Sequence, residues 1–411
     1  MKRLHFFLAA LTSLAAMACG SVTVEGIATG GGGTGQGGTG SGTGGSATGT
    51  GGGATGGEGG MGGEVLPGPP ALVIAHDGEV TVLQDIMKNP TPTSLPHVFG
   101  SARHLARVQD DLVVDLVPVE PVADWVEICR YAGFAADPSQ SPPPPACEGV
   151  STSLEGGGYA GPLADDGQGG IVMAATPYDV SSNQLSGVYW SPSGAPSGPW
   201  ARVAIPTGAI ALTVDEAAQI AFVAVGGGGV RALHLDGGAI TTGDIAGTDH
   251  TYAALQFYEG DLFALTPECP TTNCAGALRI WRGVEDGKLS TASFMQEWEV
   301  PPPIGTACSL DVQELGVLVG SCGNPGLGLD STIHYFGGPK APSSSVIQIP
   351  LVAPPLELEA VYADPGLDDA FVRIFARTQA AVRIYEDVMG TFVEKGSYAI
   401  SNQVSDILLL R

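Results

Sequence analysis

One short pattern recurs along most of this chain: an apolar run, a turn of Gly, Asp, Asn or Pro, and a second apolar run. Residues 72–83 read Leu-Val-Ile-Ala-His-Asp-Gly-Glu-Val-Thr-Val-Leu, and residues 222–235 repeat the idea around four consecutive glycines, Gly226 to Gly229. Further pairs are 262–265 with 277–281, 317–320 with 332–336, and 371–375 with 381–385. Apolar side chains spaced at 3.6 residues would signal helices; short continuous or alternating runs bounded by turn residues signal strands and hairpins instead. The fold class expected is therefore all-β.

In front of these hairpins stand further short strands that end in acidic turn residues, at 105–111, 161–166, 210–216, 254–259, 309–314 and 359–364. The unit so defined repeats every 40 to 55 residues or so, the length of a propeller blade. Six units are complete. The hairpin at 72–83 lacks a first strand, and the apolar strand at 404–410 lacks a hairpin, so the two fragments complete each other. On these residues the segment 65–411 resembles a seven-bladed β-propeller of the broad WD-repeat-like kind, closed by its C-terminal strand. Six and eight blades are the alternatives, because 125–153 is irregular and carries four prolines at 142–145. No Gly-His or Trp-Asp signature recurs, so the resemblance is architectural and implies no particular activity. Closure of the ring removes free sheet edges.

The first 64 residues are of another kind. Lys2 and Arg3, an apolar run from Leu4, and Ala16-Met17-Ala18-Cys19 have the order of an export signal followed by a processing site. The apolar run is too short to span a membrane as a mature helix. This arrangement resembles the lipobox of bacterial lipoproteins, with Ala16 where Leu is usual, and the resemblance implies cleavage after residue 18 and acylation of Cys19. Residues 20–63 contain 23 glycines in 44 positions, the rest mainly Thr, Ser and Ala, too little apolar surface to offset the entropy of ordering. The expected organisation is a signal peptide over 1–18, a disordered tether over 19–64 spanning roughly 35 to 40 Å, and one folded domain over 65–411. Gly20 is not the Asp that retains lipoproteins at the inner membrane, so the family rule points to the outer membrane, facing periplasm or exterior.

Forty-two acids against 17 bases give a formal charge of −25. That surface repels phosphate backbones and argues against nucleic acid as a partner. Besides Cys19 there are six cysteines in three sequence-local pairs: Cys129 with Cys147, Cys269 with Cys274, and Cys308 with Cys322. In an oxidising compartment disulfides are the default, and the lack of Cys-x-x-Cys weakens a redox or zinc reading.

The acids that follow each inferred inner strand are Asp110, Asp111, Asp165, Asp166, Asp215, Glu216, Glu259, Glu314, Asp364, Asp368 and Asp369. Propeller geometry would open all those turns onto one face near the central channel. Such a carboxylate ring would suit a hard cation such as Ca²⁺ or a basic partner; equally, Asp and Glu are ordinary turn formers. Asp364, Asp368 and Asp369 are the best calcium candidates, with Asp165 and Asp166 beside them.

Gly226 to Gly229 reads as a hairpin turn, since no helix follows to receive a phosphate. The histidines stand singly, and the local signatures Gly-x-Ser-x-Gly and His-Glu-x-x-His are missing from the folded part. Trp190 and Trp200 flank a Pro/Ser/Gly loop and read as blade packing, or as a sugar platform. The function expected is a monomeric, lipid-anchored, non-enzymatic interaction platform for an envelope protein or glycan. The alternative is a propeller hydrolase or lyase with a channel-mouth site and bound Ca²⁺.

Overall fold

The computed structural model describes residues 70–410 apart from positions 77, 85, 87–90, 97–100, 118–124, 152–157, 178–185, 196, 267–276, 292–293, 300–306, 314–315, 322–330, 337, 341–346, 352–354, 363–371, 389–390 and 401–403. Among the described residues, twenty-eight strands form seven four-stranded antiparallel sheets. Blade 1 holds β1 (Ala71–His76), β2 (Glu79–Gln84) and β3 (Thr91–Ser94). Blade 2 follows with β4 (Ser101–Val108), β5 (Asp111–Val117), β6 (Trp125–Tyr131) and β7 (Ala146–Ser151). Blade 3 is β8 (Gly158–Asp165), β9 (Ile171–Pro177), β10 (Gly187–Ser191) and β11 (Ala201–Ala204). Blade 4 is β12 (Ala209–Asp215), β13 (Ile220–Val225), β14 (Val230–Asp236) and β15 (Ala239–Ala246). In blade 5 come β16 (Ala254–Tyr258), β17 (Asp261–Thr266), β18 (Ala277–Arg282) and β19 (Phe294–Glu299). Blade 6 has β20 (Ala307–Gln313), β21 (Gly316–Ser321), β22 (Ser331–Tyr335) and β23 (Ile347–Leu351). Blade 7 has β24 (Glu357–Tyr362), β25 (Val372–Arg377), β26 (Ala381–Val388) and β27 (Thr391–Ala399). The last strand, β28 (Val404–Leu410), returns to blade 1.

The chain is thus a seven-bladed β-propeller. The first strands of successive blades touch in the closed order β28, β4, β8, β12, β16, β20, β24 and back to β28, which makes them the inner ring. The expected closure is present in residue-level register: Leu72 lies opposite Leu409, Val73 opposite Leu408, and Ile74 opposite Ile407. The Pro-rich stretch that left the blade count open is the connection from β6 to β7 within blade 2.

The core lies between blades. Each sheet buries both faces against its neighbours, so its middle strands must be apolar on both sides and read as continuous runs. β1 and β13 are buried at every position. Alternate residues of β28 serve different seams: Leu408 and Leu410 join the cluster shared with blade 2, whereas Val404, Ile407 and Leu409 join the one shared with blade 7. The outermost strands β15 and β27 show the mixed pattern of a surface.

An inner strand has one edge in a sheet and the other facing the next blade, where its backbone groups need partners. Side chains from the preceding blade supply them. Thr213 Oγ1 of blade 4 accepts the Phe257 N–H at 3.0 Å. Gln256 of blade 5 binds both groups of Val312, accepting its N–H at 2.6 Å and donating to its carbonyl at 2.9 Å. Ser309 of blade 6 donates to the Pro355 carbonyl at 2.8 Å, Glu357 of blade 7 accepts the Ile407 N–H at 2.8 Å, and Asp406 of blade 1 accepts the Leu105 N–H at 2.6 Å.

Candidate functional site

The described turns from first to second strand, in blades 2 to 5, open on one face of the ring, as the parallel sense of the inner strands requires. At two of the four described turns an acid is paired locally. Asp111 pairs with Arg130 and also accepts the Gly133 N–H at 2.6 Å. Glu259 pairs with Lys340. Asp110 is exposed. Glu314, Asp364, Asp368 and Asp369 lie outside the described residues, as do Cys19, Cys269, Cys274 and Cys322.

Blades 3 and 4 are where carboxylates gather. Asp165 closes β8, Asp166 opens the turn to β9, Asp215 closes β12 and Glu216 follows it. Asp165 accepts the Gly167 N–H at 2.8 Å and, across the seam to blade 2, the Gln109 N–H at 2.7 Å. Asp166 folds back over its own turn: Oδ1 accepts the Gln168 and Gly170 N–H groups at 2.8 and 2.7 Å, and Oδ2 accepts the indole N–H of Trp190 at 2.8 Å. All four of these aspartate oxygens therefore already accept a hydrogen bond.

Glycine is what lets the two turns approach. At Gly170 any Cβ would collide with the Asp166 carboxylate, and at Gly167, where φ is +77°, it would collide with Glu216. Gln219 holds the other side in a left-handed conformation, φ 55°, and donates to the carbonyls of Asp166 and Glu216. A non-glycine residue in that region is strained, and it persists because both bonds over-determine it.

Burial sets the electrostatics, with like-charge crowding adding to it at Glu216. Burial, then the charges of Asp165, Asp166 and Asp215, push the Glu216 carboxyl up to about 7, with Arg107 pulling the other way. Burial also raises Asp165 and Asp215. A carboxyl poised there can hold or release a proton near neutrality.

Beside this quartet, on the same face and off the channel axis, a cleft of about 390 Å³ separates the two blades. Asp166, Gln168, Trp190, Gln219, Leu235 and Asp236 line it. Its ionisable lining side chains are the acids Asp166 and Asp236, beside the amides of Gln168 and Gln219 and the indole of Trp190. Trp190 is only 4% exposed and belongs to the blade 3–4 core, while Trp200 packs against the blade 2–3 core.

Among the described residues, Glu127, Cys129 and Cys147 place three ligand-type atoms within 4.8 Å of one another. The two sulfurs are bonded to each other at 2.04 Å, joining directly opposed residues of β6 and β7. In this oxidised state the trio offers a metal only the Glu127 carboxylate, whose proton affinity is raised by burial. The expected Cys129–Cys147 bridge is thus present. Cys308 is also disulfide-bonded.

Two groups of residues escaped the sequence reading. One is the cleft's second wall, Leu235 and Asp236, which belongs to the turn after a third strand. The other is the set of cross-blade residues Thr213, Gln256, Ser309, Glu357 and Asp406. Thr213 and Gln256 each stand as a polar side chain between apolar neighbours of an inner strand, whereas Ser309, Glu357 and Asp406 share their strands with other polar residues and are not singled out by pattern.

No protein-family model matches the chain, and no curated protein matches it in sequence. Among solved structures it is similar to AztD of Citrobacter koseri, at 11% identity and a TM-score of 0.46 over 83% of this chain and 97% of that one. The apo form of the same protein compares at 12% identity and 0.47, with the same coverage.

Proposed function

We propose that the protein is an exported, lipid-anchored propeller of the cell envelope, tethered at Cys19 to the outer membrane and acting as a non-enzymatic interaction platform. The face bearing the Asp165, Asp166, Asp215 and Glu216 turns would receive a basic group of an envelope partner. The cleft between blades 3 and 4 carries this reading: it is concave, lined by the acids Asp166 and Asp236 and by the side-chain amides of Gln168 and Gln219, which can accept from a cationic group. Photocrosslinking in intact envelopes from a probe at Gln168, with Asp236→Lys as the charge-reversed control, tests it. A basic protein captured by the parent chain, released by salt and lost in the variant supports the platform. Recovery of no specific partner counts against it. Cys19→Ala should move the protein from membrane to soluble fractions with its domain intact.

The elevated Glu216 supports a second reading, a hydrolase or lyase in which Glu216 serves as acid or base, with Ca²⁺ held by neighbouring carboxylates. Metal analysis of the purified chain and a screen of lactones, phosphoesters and polysaccharides separate the two. A metal-free, inert protein removes the enzyme reading; turnover abolished in Glu216→Gln establishes it.

A further inference from the structure

The seam that closes the ring holds two acids in mutual contact. Asp406 on β28 and Glu357 at the start of β24 are each 3% exposed. Asp406 Oδ2 accepts the Leu105 N–H at 2.6 Å. Glu357 Oε2 accepts from Arg377 Nε at 2.9 Å and from the Ile407 N–H at 2.8 Å. The remaining oxygens, Asp406 Oδ1 and Glu357 Oε1, are buried and receive no N–H or hydroxyl. The two carboxyl groups lie within hydrogen-bonding reach of each other, and two carboxyl groups can bond only with a proton between them. Charge balance agrees: with both acids ionised, the buried group including Arg377 carries a net negative charge, and one proton brings it to zero. A metal ion in the proton's place would find two oxygens here, far short of the six to eight Ca²⁺ takes.

We propose that ring closure is latched by a proton shared between Asp406 and Glu357, and that ionisation of Asp406 loosens the seam joining blades 7, 1 and 2. Burial, followed by the Glu357 charge, raises Asp406 well above the usual carboxylate range, while Arg377 and the Leu105 N–H oppose the rise. A raised acid stabilises the folded state fully below its unfolded value of 3.8, and that stabilisation is lost as pH climbs through the folded-state value. Other titratable side chains on the strands packed against β28 are engaged elsewhere. His76 bonds Thr81, His104 pairs with Asp115, Arg107 bonds the Gln109 carbonyl, and Arg373 pairs with Glu386; Arg103 is exposed. Arg377 itself bridges the seam, bonding the Val404 carbonyl at 2.9 Å.

The test compares the parent chain with Asp406→Asn, whose amide still accepts from Leu105 and donates to Glu357. Two readouts are followed: the carboxylic-acid C=O stretch in infrared difference spectra, and amide exchange of β28 against pH, corrected for intrinsic rates. In the parent chain, seam opening should rise by up to about tenfold per pH unit above the ordinary carboxylate range and then level off. In Asp406→Asn the acid band assigned to this site should vanish and the exchange profile should be flat. Equal profiles in the two chains, or no acid band removed by the substitution, overturn the proposal. Should Asp406→Asn not fold, Glu357→Gln takes its place: the latch requires the same loss of band and slope, and their retention refutes it.

Discussion

Deleting residues 404–411 should unfold the whole domain rather than fray one blade. Five apolar side chains of β28 are buried, Val404, Ile407, Leu408, Leu409 and Leu410, and burial of each is worth about 1.5–3 kcal/mol, or about 8–15 kcal/mol together. For the strand itself that gain is nearly offset by the cost of ordering seven residues, at about 1.5 kcal/mol each. What remains is the surface uncovered on the neighbours. β1 loses its ladder from Ala71 to His76, blades 2 and 7 lose the apolar cover of alternate β28 residues, and the Leu105 N–H and the Glu357–Arg377 pair lose partners. That area matches the strand's own and carries no compensating entropy, so the loss equals the 5–15 kcal/mol or so that holds a typical domain together. The assay is solubility and thermal unfolding of the full chain with and without 404–411. Leu408→Ala and Leu409→Ala grade the effect, each costing about 2–5 kcal/mol at a different seam. A truncated chain that stays soluble with an unchanged midpoint would refute the reasoning, because the seam would then contribute nothing.

Gln256→Ala should cost about 2–4 kcal/mol in denaturant unfolding, since it strands both backbone groups of Val312 in a dry seam. Glu216→Gln should flatten the pH profile: the parent's stabilisation by this group is complete below 4.5 and lost through about 7, so the variant's thermal midpoint should exceed the parent's on the alkaline side and not on the acid side. Replacing both Cys129 and Cys147 with Ala should cost about 3 kcal/mol, the value for a loop of this length, given the separation of 18 residues. Calorimetry of the pair variant against the parent checks it.

The hairpins and the closure were legible because middle strands buried on both faces cannot hide their composition, and because the orphan strand ending Ile-Leu-Leu-Leu demanded a partner. Outer strands such as β15 and β27 were not, since a face turned to water tolerates the same residues as a loop. The acids were found by type and by turn position, and their face followed from the propeller. Their fates were not legible: Asp111 and Glu259 meet Arg130 and Lys340 across distances in sequence that no spacing rule covers, whereas Asp165, Asp166, Asp215 and Glu216 converge because Gly167 and Gly170 permit two blades' turns to touch. The stitching by Thr213, Gln256 and Asp406 was hidden for a related reason. Each serves a backbone group in a neighbouring blade, and backbone groups leave no mark on a sequence.

The pairing of Ala71 with Leu410 also dictates a timetable. The hairpin of β1 and β2 is the first part of the propeller to leave the ribosome, and its inner neighbour is the last. Until the C-terminus emerges, the N-terminal sheet must wait with an open edge, and loop closure over nearly the entire domain has to precede the contacts that reward it. Such a chain gains little by folding as it is made. It is well suited to being kept unfolded until released whole, and a truncation that removes the last strand forfeits the ring.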